Sequence, residues 1–553
     1  MHYEFKAPET STGHVPFNNI NGLHDWLDNL ITLDSIYYYQ EILCVLQALK
    51  TFKLSSKEHI NALKKINLYL TDSVKHFDNN YWNTKFPLSY DQFSKVEIIT
   101  WAYAELANNY SQLAIHASKQ KSFFSSKKKP AFLLYQALQA TSQVYLKISG
   151  CYALPYSGFW SSLYQLYFLA EQQSLLKTPI STNKHEKKTI EQSFINILLL
   201  SLCDMHQFRP RDMQQIYDFL GYFSTYSHIQ TTLSSSDLNR ARSFHHQQDA
   251  PLLPETSTTK RGFIDYRYLM LTGSVNEIFA ELSFRKPTSS TLNKFNQAIF
   301  LRAYKSLTFT QKRQHIRISN RCLGNGVIGL EDVIKFHKKN TRLTEGIAGT
   351  FSGTKTIENK PANAPTPLTL VDKDHYIDIA IKEKSNNTSH NNIFNKSNSL
   401  PEARNDPIRI EEFEIINSTF KGHQILWNNS SEKLQIGNVF GMITAPSHGI
   451  EVGLVRRMST TENSLIIGIE LLSIESLAIC ISSLSTPEQK ISCILLNQDS
   501  LLFSTNHFQP GEEIYLFMNH DKIPCHLGQS LHSTTSVNHF ELLFPHEQRL
   551  GIT

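Results

Sequence analysis

The chain has 553 residues, and its 54 basic and 49 acidic side chains leave a formal net charge of only +5. Charged residues make up 19%, below the roughly 25% of an average globular protein, and hydrophobic residues make up 41%. These values exclude a wholly disordered polyampholyte and a collagen-like chain, and they predict about two to four domains. So mild a charge does not favour nucleic-acid binding over the whole surface, so any anion site must be local.

The seven cysteines are odd in number and widely spaced, and they contain no C-x-x-C pair. This pattern predicts reduced thiols in a cytoplasmic protein rather than a disulfide scaffold, a zinc site or a redox motif. The N-terminal sequence MHYEFKAPETSTG shows no basic stretch followed by an apolar one, so we expect no signal peptide. The most apolar run, FINILLLSLC at 194–203, is half the length of a membrane span and predicts a buried helix.

The first 231 residues predict one helix after another, and we interpret them as a helical interaction domain. Residues 163–170 carry apolar side chains at i, i+3, i+4 and i+7, which is the stripe of an amphipathic helix. Ser55 and Glu58 have the spacing of a capping box at a helix start. Pro87 and Pro210 fall between periodic segments, where helices are expected to break.

Three segments with less regular patterns follow. Residues 232–262 are polar and contain proline, which predicts a linker, and residues 263–308 are expected to form connecting helices. The Asn/Ser/Lys-rich segment 338–406 predicts a disordered insertion. The pair His245-His246 in the polar linker is expected to be solvated, and no metal site is predicted anywhere in the chain.

From about residue 410 the apolar period changes from 3.6 to 2, which is typical of short antiparallel strands. Gly, Asn, Pro and Ser separate the strand-like runs, which are FEII, HQILW, EVGLVRRM, SLIIGIELL, LAICIS, ISCILL, EIYLFM and HFELLF. The regular spacing predicts a small antiparallel barrel, whose closure removes exposed sheet edges. The predicted fold class is therefore α+β and multidomain, with an all-helical N-terminal domain before a β-barrel region at 309–545.

Catalytic signatures are absent from the sequence: it contains no H-E-x-x-H, G-x-S-x-G, Walker A loop or G-x-G-x-x-G after a strand. Two polar patches remain. The first is a basic run in which Arg313 and Arg317 are four residues apart. Two planar guanidinium groups at this spacing can converge on one phosphate or stack on a purine, although the run could also be an ordinary solvated surface.

The second patch lies between two strand-like runs and consists of Asn417, Thr419 and Gly422 in an N-x-T-x-x-G pattern. An Asn amide has a donor and an acceptor for a guanine edge, and Thr adds a hydroxyl. Gly422 is expected to allow a positive φ and close ligand approach, although these are also common turn residues.

Together the two patches resemble the R-x-x-x-R and [D/N]-x-[S/T]-x-x-G signature of PilZ domains, which are bacterial receptors for cyclic di-GMP. The chain is similar to gammaproteobacterial PilZ-like proteins with a long helical N-terminal region, on segments such as LHDWLDNL, FPLS and GFWSSLYQLYFLAEQQSLL. The resemblance implies that Arg313 and Arg317 hold phosphate and stack on guanine, that Asn417 and Thr419 bond a guanine edge, and that Gly422 shapes the turn. It adds Arg456, in a barrel strand, as a further ligand contact.

The arginine assignment has an alternative, because Arg404 and Arg409 are closer in sequence to Asn417. Thr419 also stands where serine is commoner in the family signature.

Three functions are compatible with these patterns. The first is a non-enzymatic cytoplasmic effector that binds cyclic di-GMP without another cofactor and relays its level to a protein partner through the helical region, with type IV pili, motility or biofilm as implied outputs. The second is a helical scaffold whose PilZ-like barrel binds no nucleotide and makes protein contacts. The third, a nucleic-acid-binding barrel, lacks support because the strands show no interleaved basic and aromatic residues.

Overall fold

A computed structural model describes most of the helical and barrel regions. The described residues are 17, 19–30, 35–50, 54–81, 85–119, 127–183, 186–234, 237, 241–254, 265–283, 297–308, 317–319, 321–348, 408–428, 434–444, 449–461, 464–504, 508–518, 521–534 and 536–544.

The N-terminal part is built from α-helices that pack on one core. In chain order these are α1 (Ile20–Leu30), α2 (Ser35–Ala48), α3 (Ser56–Tyr81), α4 (Tyr90–Lys119), α5 (Lys128–Gly150), α6 (Phe159–Gln172), α7 (Ile190–Leu202) and α8 (Pro210–Phe223). A short hairpin of β1 (Ile180–Asn183) and β2 (Glu186–Lys188) lies between α6 and α7. The predicted stripe of α6 is fully confirmed, because its four side chains are buried.

Local sequence signals set the helix ends. Ser55 accepts the backbone N–H of Glu58 at 3.3 Å while the Glu58 carboxylate accepts the backbone N–H of Ser55 at 3.0 Å, which confirms the predicted capping box before α3. Thr189 and Gln192 form a second box at the start of α7. Pro210 is the first residue of α8, where a missing N–H costs nothing.

The segment expected to be a linker instead contributes strands to a small sheet. This sheet has the order β3-β6-β4-β5, with β3 (His228–Gln230), β4 (Ala241–Phe244), β5 (Leu253–Pro254) and β6 (Arg267–Met270). Phe244 is fully buried and stacks on Tyr164 of α6 with ring centroids 4.9 Å apart. The polar composition concealed this role, because only a few residues of the segment, among them Phe244 and Leu252, are buried in the helical core.

Three helices connect or follow this sheet: α9 (Thr272–Ser283), α10 (Gln297–Thr308) and α11 (Leu330–Ala348). Helix α11 enters the segment predicted as an insertion and ends at Ala348, while residues 349–406 lie outside the described part of the chain.

The C-terminal strands confirm the antiparallel barrel expected from the sequence, and they divide into two closed barrels of six strands. The first barrel has the order β10-β11-β12-β9-β8-β7, and β7 closes it on β10. Its strands are β7 (Cys322–Ile328), β8 (Glu411–Thr419), β9 (Gly422–Trp427), β10 (Val439–Ile443), β11 (Glu451–Thr460) and β12 (Leu465–Ser473). The second barrel has the order β13-β14-β15-β18-β17-β16 and consists of β13 (Ser476–Ser483), β14 (Ile491–Leu496), β15 (Ser500–Ser504), β16 (Glu513–Met518), β17 (Asp521–Ser533) and β18 (Val537–Leu543).

The two barrels are joined by an apolar interface that also includes α11. Val333 and Phe336 of α11 pack there with Val452 and Leu454 of β11 and with Leu502 of β15. A separate cluster of buried side chains fills the interior of the second barrel. Because each barrel buries its own inward-facing residues, a single run of alternating strands in the sequence produces two cores.

The first barrel is fixed to the helical region by backbone and side-chain bonds. Phe86 and Leu434 exchange two backbone hydrogen bonds of 2.8 and 2.6 Å. Thr460 of β11 donates its backbone N–H to the carbonyl of Tyr152 at 2.9 Å, and the Arg209 guanidinium donates to the carbonyl of Ile436 at 2.9 Å. Buried side chains of the helices and of the first barrel interior belong to one continuous cluster, so the helices rest directly on the barrel.

Candidate ligand-binding face

The N-x-T-x-x-G motif forms the hairpin between β8 and β9. Thr419 pairs with Gly422, and Phe420 and Lys421 make the two-residue turn. The Thr419 hydroxyl accepts the backbone N–H of Lys421 at 3.3 Å and lies 3.2 Å from the carbonyl of Gly422, to which it donates. Thr419 therefore stabilises the turn in addition to presenting a hydroxyl on the outer face of the barrel.

Gly422 is required for a reason that the sequence did not indicate. Its φ is not among the positive values found in the described chain, so the expectation of a left-handed turn residue is wrong. A Cβ at this position would lie 2.0 Å from the carbonyl oxygen of Ile469 on the neighbouring strand β12. The glycine therefore allows close approach of two strands, and its contact is with protein backbone.

Arg317 and Asn417 converge on one side chain. The Asn417 amide donates to Oε1 of Gln424 at 2.6 Å, and the Arg317 guanidinium donates to the same oxygen at 3.3 Å. Ile318 and Ser418 exchange backbone hydrogen bonds of 2.9 and 3.0 Å, so the segment after the basic run lies along β8. Arg317, the described residue of the first patch, thus meets the second patch in space although the two are 100 residues apart in the sequence.

Arg313, the other arginine of the predicted pair, lies outside the described residues, as does Arg404. Arg409, the remaining alternative, lies two residues before β8 begins at Glu411. Asn417 is six residues further along this strand, which corresponds to about 20 Å at a rise of roughly 3.3 Å per residue. The described geometry therefore brings Arg317 to the Asn417 motif and leaves Arg409 at the far end of β8.

A hydrogen-bonded network inside the first barrel supports β8, the strand that bears the motif, from its inner side. The Ser418 hydroxyl and Nδ1 of His423 are 2.8 Å apart, and Nε2 of His423 is 2.9 Å from the Glu451 carboxylate. Thr444 donates to the other oxygen of Glu451 at 2.7 Å. Because these polar groups are largely buried and mutually bonded, the network fixes the end of the hairpin that bears Asn417 and Thr419 on its outer side.

The outer face of the barrel continues from the motif across two more strands. Strand register places Gly468 of β12 beside Gln424, and Arg457 of β11 beside Gly468. Because Gly468 has no side chain, the surface has a shallow depression between the amide of Gln424 and the guanidinium of Arg457. The resulting surface, made by β8, β9, β12 and β11, is called here the polar face of the first barrel.

Arg456 lies at the far edge of this polar face. It sits at a register shift between Val455 and Arg457, and its guanidinium is ion-paired with Glu470 at 2.5 Å. Three strand spacings of about 4.8 Å separate β11 from β8, so Arg456 is roughly 14 Å from Asn417 across the sheet. The structure therefore places Arg456 on the same face but does not bring it into contact with the motif.

Two residues of the polar face were not predicted. Gln424 alternates with the inward-facing Ile425 and Trp427 along β9, so the period of 2 could have placed it outside and beside the motif. Glu470 pairs with Gly422 across the sheet, and only the register of the closed barrel reveals this.

The chemistry that this face can perform is recognition of an anion and of a base edge. Guanidinium groups supply paired N–H donors for phosphate oxygens, and the Asn417 and Gln424 amides supply donors and acceptors. Within the described part of the chain, no group of three or more His, Cys, Asp or Glu side chains is placed to hold a metal ion. None of the described helices is long and apolar enough to cross a membrane.

The chain matches one model of a known protein family. Residues 21–235 match the family described as "Cyclic-di-GMP receptor FimW, N-terminal domain". The match covers the helical region and less than half of the chain, and both barrels lie outside it. It agrees with the predicted resemblance to a cyclic di-GMP receptor family. No curated protein matches the chain.

Proposed function

We propose that the protein is a cytoplasmic cyclic di-GMP receptor that acts by binding rather than by turnover. The observation that carries the proposal is the convergence of Arg317 and Asn417 on Gln424, beside a helical region that matches the N-terminal domain of a cyclic di-GMP receptor family. Neither finding alone specifies the ligand. Together they join the chemistry of an anion and base-edge site with a family of cyclic di-GMP receptors.

In this proposal the nucleotide binds the polar face of the PilZ-like first barrel. Arg317, with Arg313, contacts phosphate and stacks on guanine, and Asn417 bonds a guanine edge after exchanging its bond with Gln424 for one with the ligand. Thr419 and Gly422 maintain the hairpin, and Thr419 also offers its hydroxyl. Arg317 is favoured over Arg409 because it lies beside Asn417, whereas Arg409 precedes the opposite end of β8.

The position of the polar face also supports a relay to the helical region. Arg457, beside Gly468 on this face, is ion-paired with Asp204 of the helical region at 2.7 Å. A ligand phosphate near Arg457 would compete with Asp204 for the same guanidinium. Binding would then shift the equilibrium between states in which Asp204 is and is not held by Arg457, because the ligand interacts differently with the two states. A protein partner of the helical region would read this change, with pili, motility or biofilm as the output.

Calorimetric titration of the full chain with cyclic di-GMP tests the proposal. We expect Arg317→Ala, Arg313→Ala and Asn417→Ala each to weaken binding by about tenfold or more, since each removes a hydrogen bond to a charged or buried ligand group. Arg321→Ala is the matched control, because Arg321 is also an exposed arginine, just before β7, but it is ion-paired with Glu414 at 3.6 Å and Glu414 pairs with Leu426 rather than with Gln424. It should bind like the wild type.

Two outcomes would contradict the proposal in different ways. Wild-type affinity in both Arg317→Ala and Asn417→Ala would place the site elsewhere, and Arg404→Ala with Arg409→Ala would then test the alternative arginines. No heat and no thermal shift from the wild-type chain at saturating nucleotide would remove the receptor function, leaving the helical scaffold with a non-binding barrel.

A further inference from the structure

The first turns of α3 and α5 are neighbours at one end of the helical region. Lys129, at the start of α5, donates to the hydroxyl of Ser56, at the start of α3, at 3.1 Å. Towards the other ends of the same two helices, Lys147 and Asp78 are ion-paired at 2.5 Å. Because both contacts are made, α3 and α5 lie side by side and run in the same direction.

Helix α4 packs on α5 and runs in the opposite direction. Trp101, in the first half of α4, packs on Tyr156, which follows the end of α5, with ring centroids 4.7 Å apart. The last turn of α4, which carries His116 and Lys119, therefore lies at the same end of the helical region as the first turns of α3 and α5.

This end of the helical region is strongly basic. Residues 55–68, 112–119 and 127–136 contain seven lysines and one carboxylate, that of Glu58, which is held in the capping box of α3. Six of these lysines are exposed and are called here the lysine pole: Lys57, Lys64, Lys119, Lys127, Lys128 and Lys129. Positive charge is therefore concentrated here, although the whole chain has a net charge of only +5.

The start of α5 departs from two rules that usually govern helix starts. A helix N-terminus has a partial positive charge, and it favours Ser, Thr, Asp or Asn as the N-cap and acidic residues in the first turn. In α5 the N-cap is Lys127, which makes no capping hydrogen bond, and Lys128 and Lys129 follow with no acidic residue in the first turn. Such a conflict between local sequence and local structure is expected where function requires it.

The chemistry of the positive groups distinguishes between anionic partners. The chain has no arginine before Arg209, so the pole presents ammonium groups alone. An ammonium is a compact, hydrated charge on a flexible stem, whereas a planar guanidinium suits bidentate contact with one fixed phosphate or carboxylate. Lysines at three helix ends therefore suit an extended, fluid layer of anionic headgroups better than a single defined ligand.

Neighbouring side chains also favour a lipid surface over a nucleic acid. Leu68 is 58% exposed and lies on the outer stripe of α3 with Lys57 and Lys64, at a spacing of i, i+7 and i+11. An apolar side chain among lysines suits the boundary between headgroups and acyl chains. The ring of Phe132 lies under the Lys64 ammonium at 4.8 Å, and the three stretches contain no exposed aromatic side chain on which a base could stack.

We propose that the lysine pole binds the surface of an anionic lipid bilayer. The ammonium groups of three helix ends contact phosphate headgroups together, and the attraction is electrostatic because it comes from several lysines near a negatively charged surface. The pole is on the helical region, whereas the polar face is on the first barrel. The proposal therefore does not depend on whether the chain binds a nucleotide.

Co-sedimentation of the full chain with lipid vesicles tests the proposal. The probes are vesicles of phosphatidylcholine mixed with phosphatidylglycerol, and vesicles of phosphatidylcholine alone. The pole variant combines Lys57→Gln, Lys64→Gln, Lys127→Gln and Lys129→Gln. The matched control removes the same charge from exposed positions on α11 and the second barrel, and it combines Lys338→Gln, Lys339→Gln, Lys490→Gln and Lys522→Gln.

We expect the wild type and the matched control to bind the anionic vesicles, and neither to bind phosphatidylcholine alone. The pole variant should bind the anionic vesicles at least roughly a hundredfold more weakly, since each lysine near an anionic surface contributes a factor of about five. Added salt should weaken wild-type binding. The melting temperature of the pole variant should not decrease, because the loss of two positive charges relieves repulsion at the start of α5, and this separates loss of binding from loss of fold.

Several results would overturn the proposal. A wild-type chain that does not bind the anionic vesicles, or that binds both kinds of vesicle equally, would exclude recognition of anionic lipid. Equal binding by the pole variant and the matched control would place the contact on another surface. A labelled single-stranded oligonucleotide tests the other class of polyanion: if the wild type binds it but not the vesicles, and the pole variant loses that binding, the lysine pole is a nucleic-acid surface instead.

Discussion

Replacing Gly422 by alanine would place a methyl group against the backbone of the neighbouring strand. The new Cβ would lie 2.0 Å from the Ile469 carbonyl oxygen and 3.3 Å from Cα of Glu470. Ordinary contact begins at 3.4 Å, so β9 and β12 would have to separate by roughly 1.4 Å or lose a ladder bond. Both strands have paired neighbours on each side in a closed barrel, which leaves little freedom to move apart.

The expected cost of Gly422→Ala is at the upper end of the range for overpacking, about 3 kcal/mol, because the obstacle is backbone rather than a flexible side chain. Because the first barrel shares its core with the helical region, the cooperative unit exceeds about 150 residues, and the corresponding decrease in melting temperature is roughly 6 °C. Thermal denaturation followed by circular dichroism measures it. Gly449→Ala is the matched control, since the nearest atom to its Cβ, the Ile474 carbonyl oxygen, is 3.8 Å away.

This prediction affects how a nucleotide-binding assay is interpreted. Gly422 belongs to the motif, and loss of binding in Gly422→Ala would follow from a disturbed barrel without any contact between Gly422 and the ligand. Equal melting temperatures for Gly422→Ala and Gly449→Ala would refute the reasoning, because they would mean that the two strands accommodate the methyl group.

Two further predictions concern buried charge. Lys147 is only 2% exposed and is bonded to Asp78, which is 25% exposed, at 2.5 Å. Asp78→Asn leaves the ammonium buried without its carboxylate, so it should lower the free energy of unfolding by about 3–5 kcal/mol. Lys147→Met should lower it clearly less, because it also removes the buried charge. Urea denaturation measures both values, and the opposite order would contradict this reasoning. Burial lowers the pKa of His337 to about 4, whereas histidine in an unfolded chain has a pKa of roughly 6.5. The neutral His337 therefore makes its full contribution to the free energy of unfolding above pH 6.5. That free energy decreases by at most roughly 3 kcal/mol as the pH falls towards 4. His337→Gln should therefore flatten the decrease in melting temperature between pH 7 and 4.5, and an unchanged slope would show that other groups cause it.

Several features of the fold could be read directly from the sequence. The stripe on α6, the capping box at Ser55 and the helix break at Pro210 depend on residues within one or two turns of each other, and all are confirmed. The change of period near residue 410 likewise predicted antiparallel barrel strands. Such signals are local, because the helix and strand periods are properties of a short stretch of chain.

Other features depend on long-range pairing, and the sequence did not predict them. The division of the strands into two barrels follows from which strands pair at each closure, and alternation alone does not specify this. The segment predicted as a linker forms part of a sheet, in which Phe244 packs against Tyr164 of α6 and Phe194 of α7.

The candidate site divides in the same way. The sequence by itself determined that Arg317, Asn417, Thr419 and Gly422 are the residues to consider, because their types and spacing suit an anion and a base edge. Only the tertiary structure decided that Arg317 lies beside Asn417, that Gln424 joins them, and that Arg456 is at the far edge of the face with the second barrel against it. The physical reason is that donor chemistry is a property of single side chains, whereas their distances are set by the register and closure of a barrel built from strands far apart in the chain.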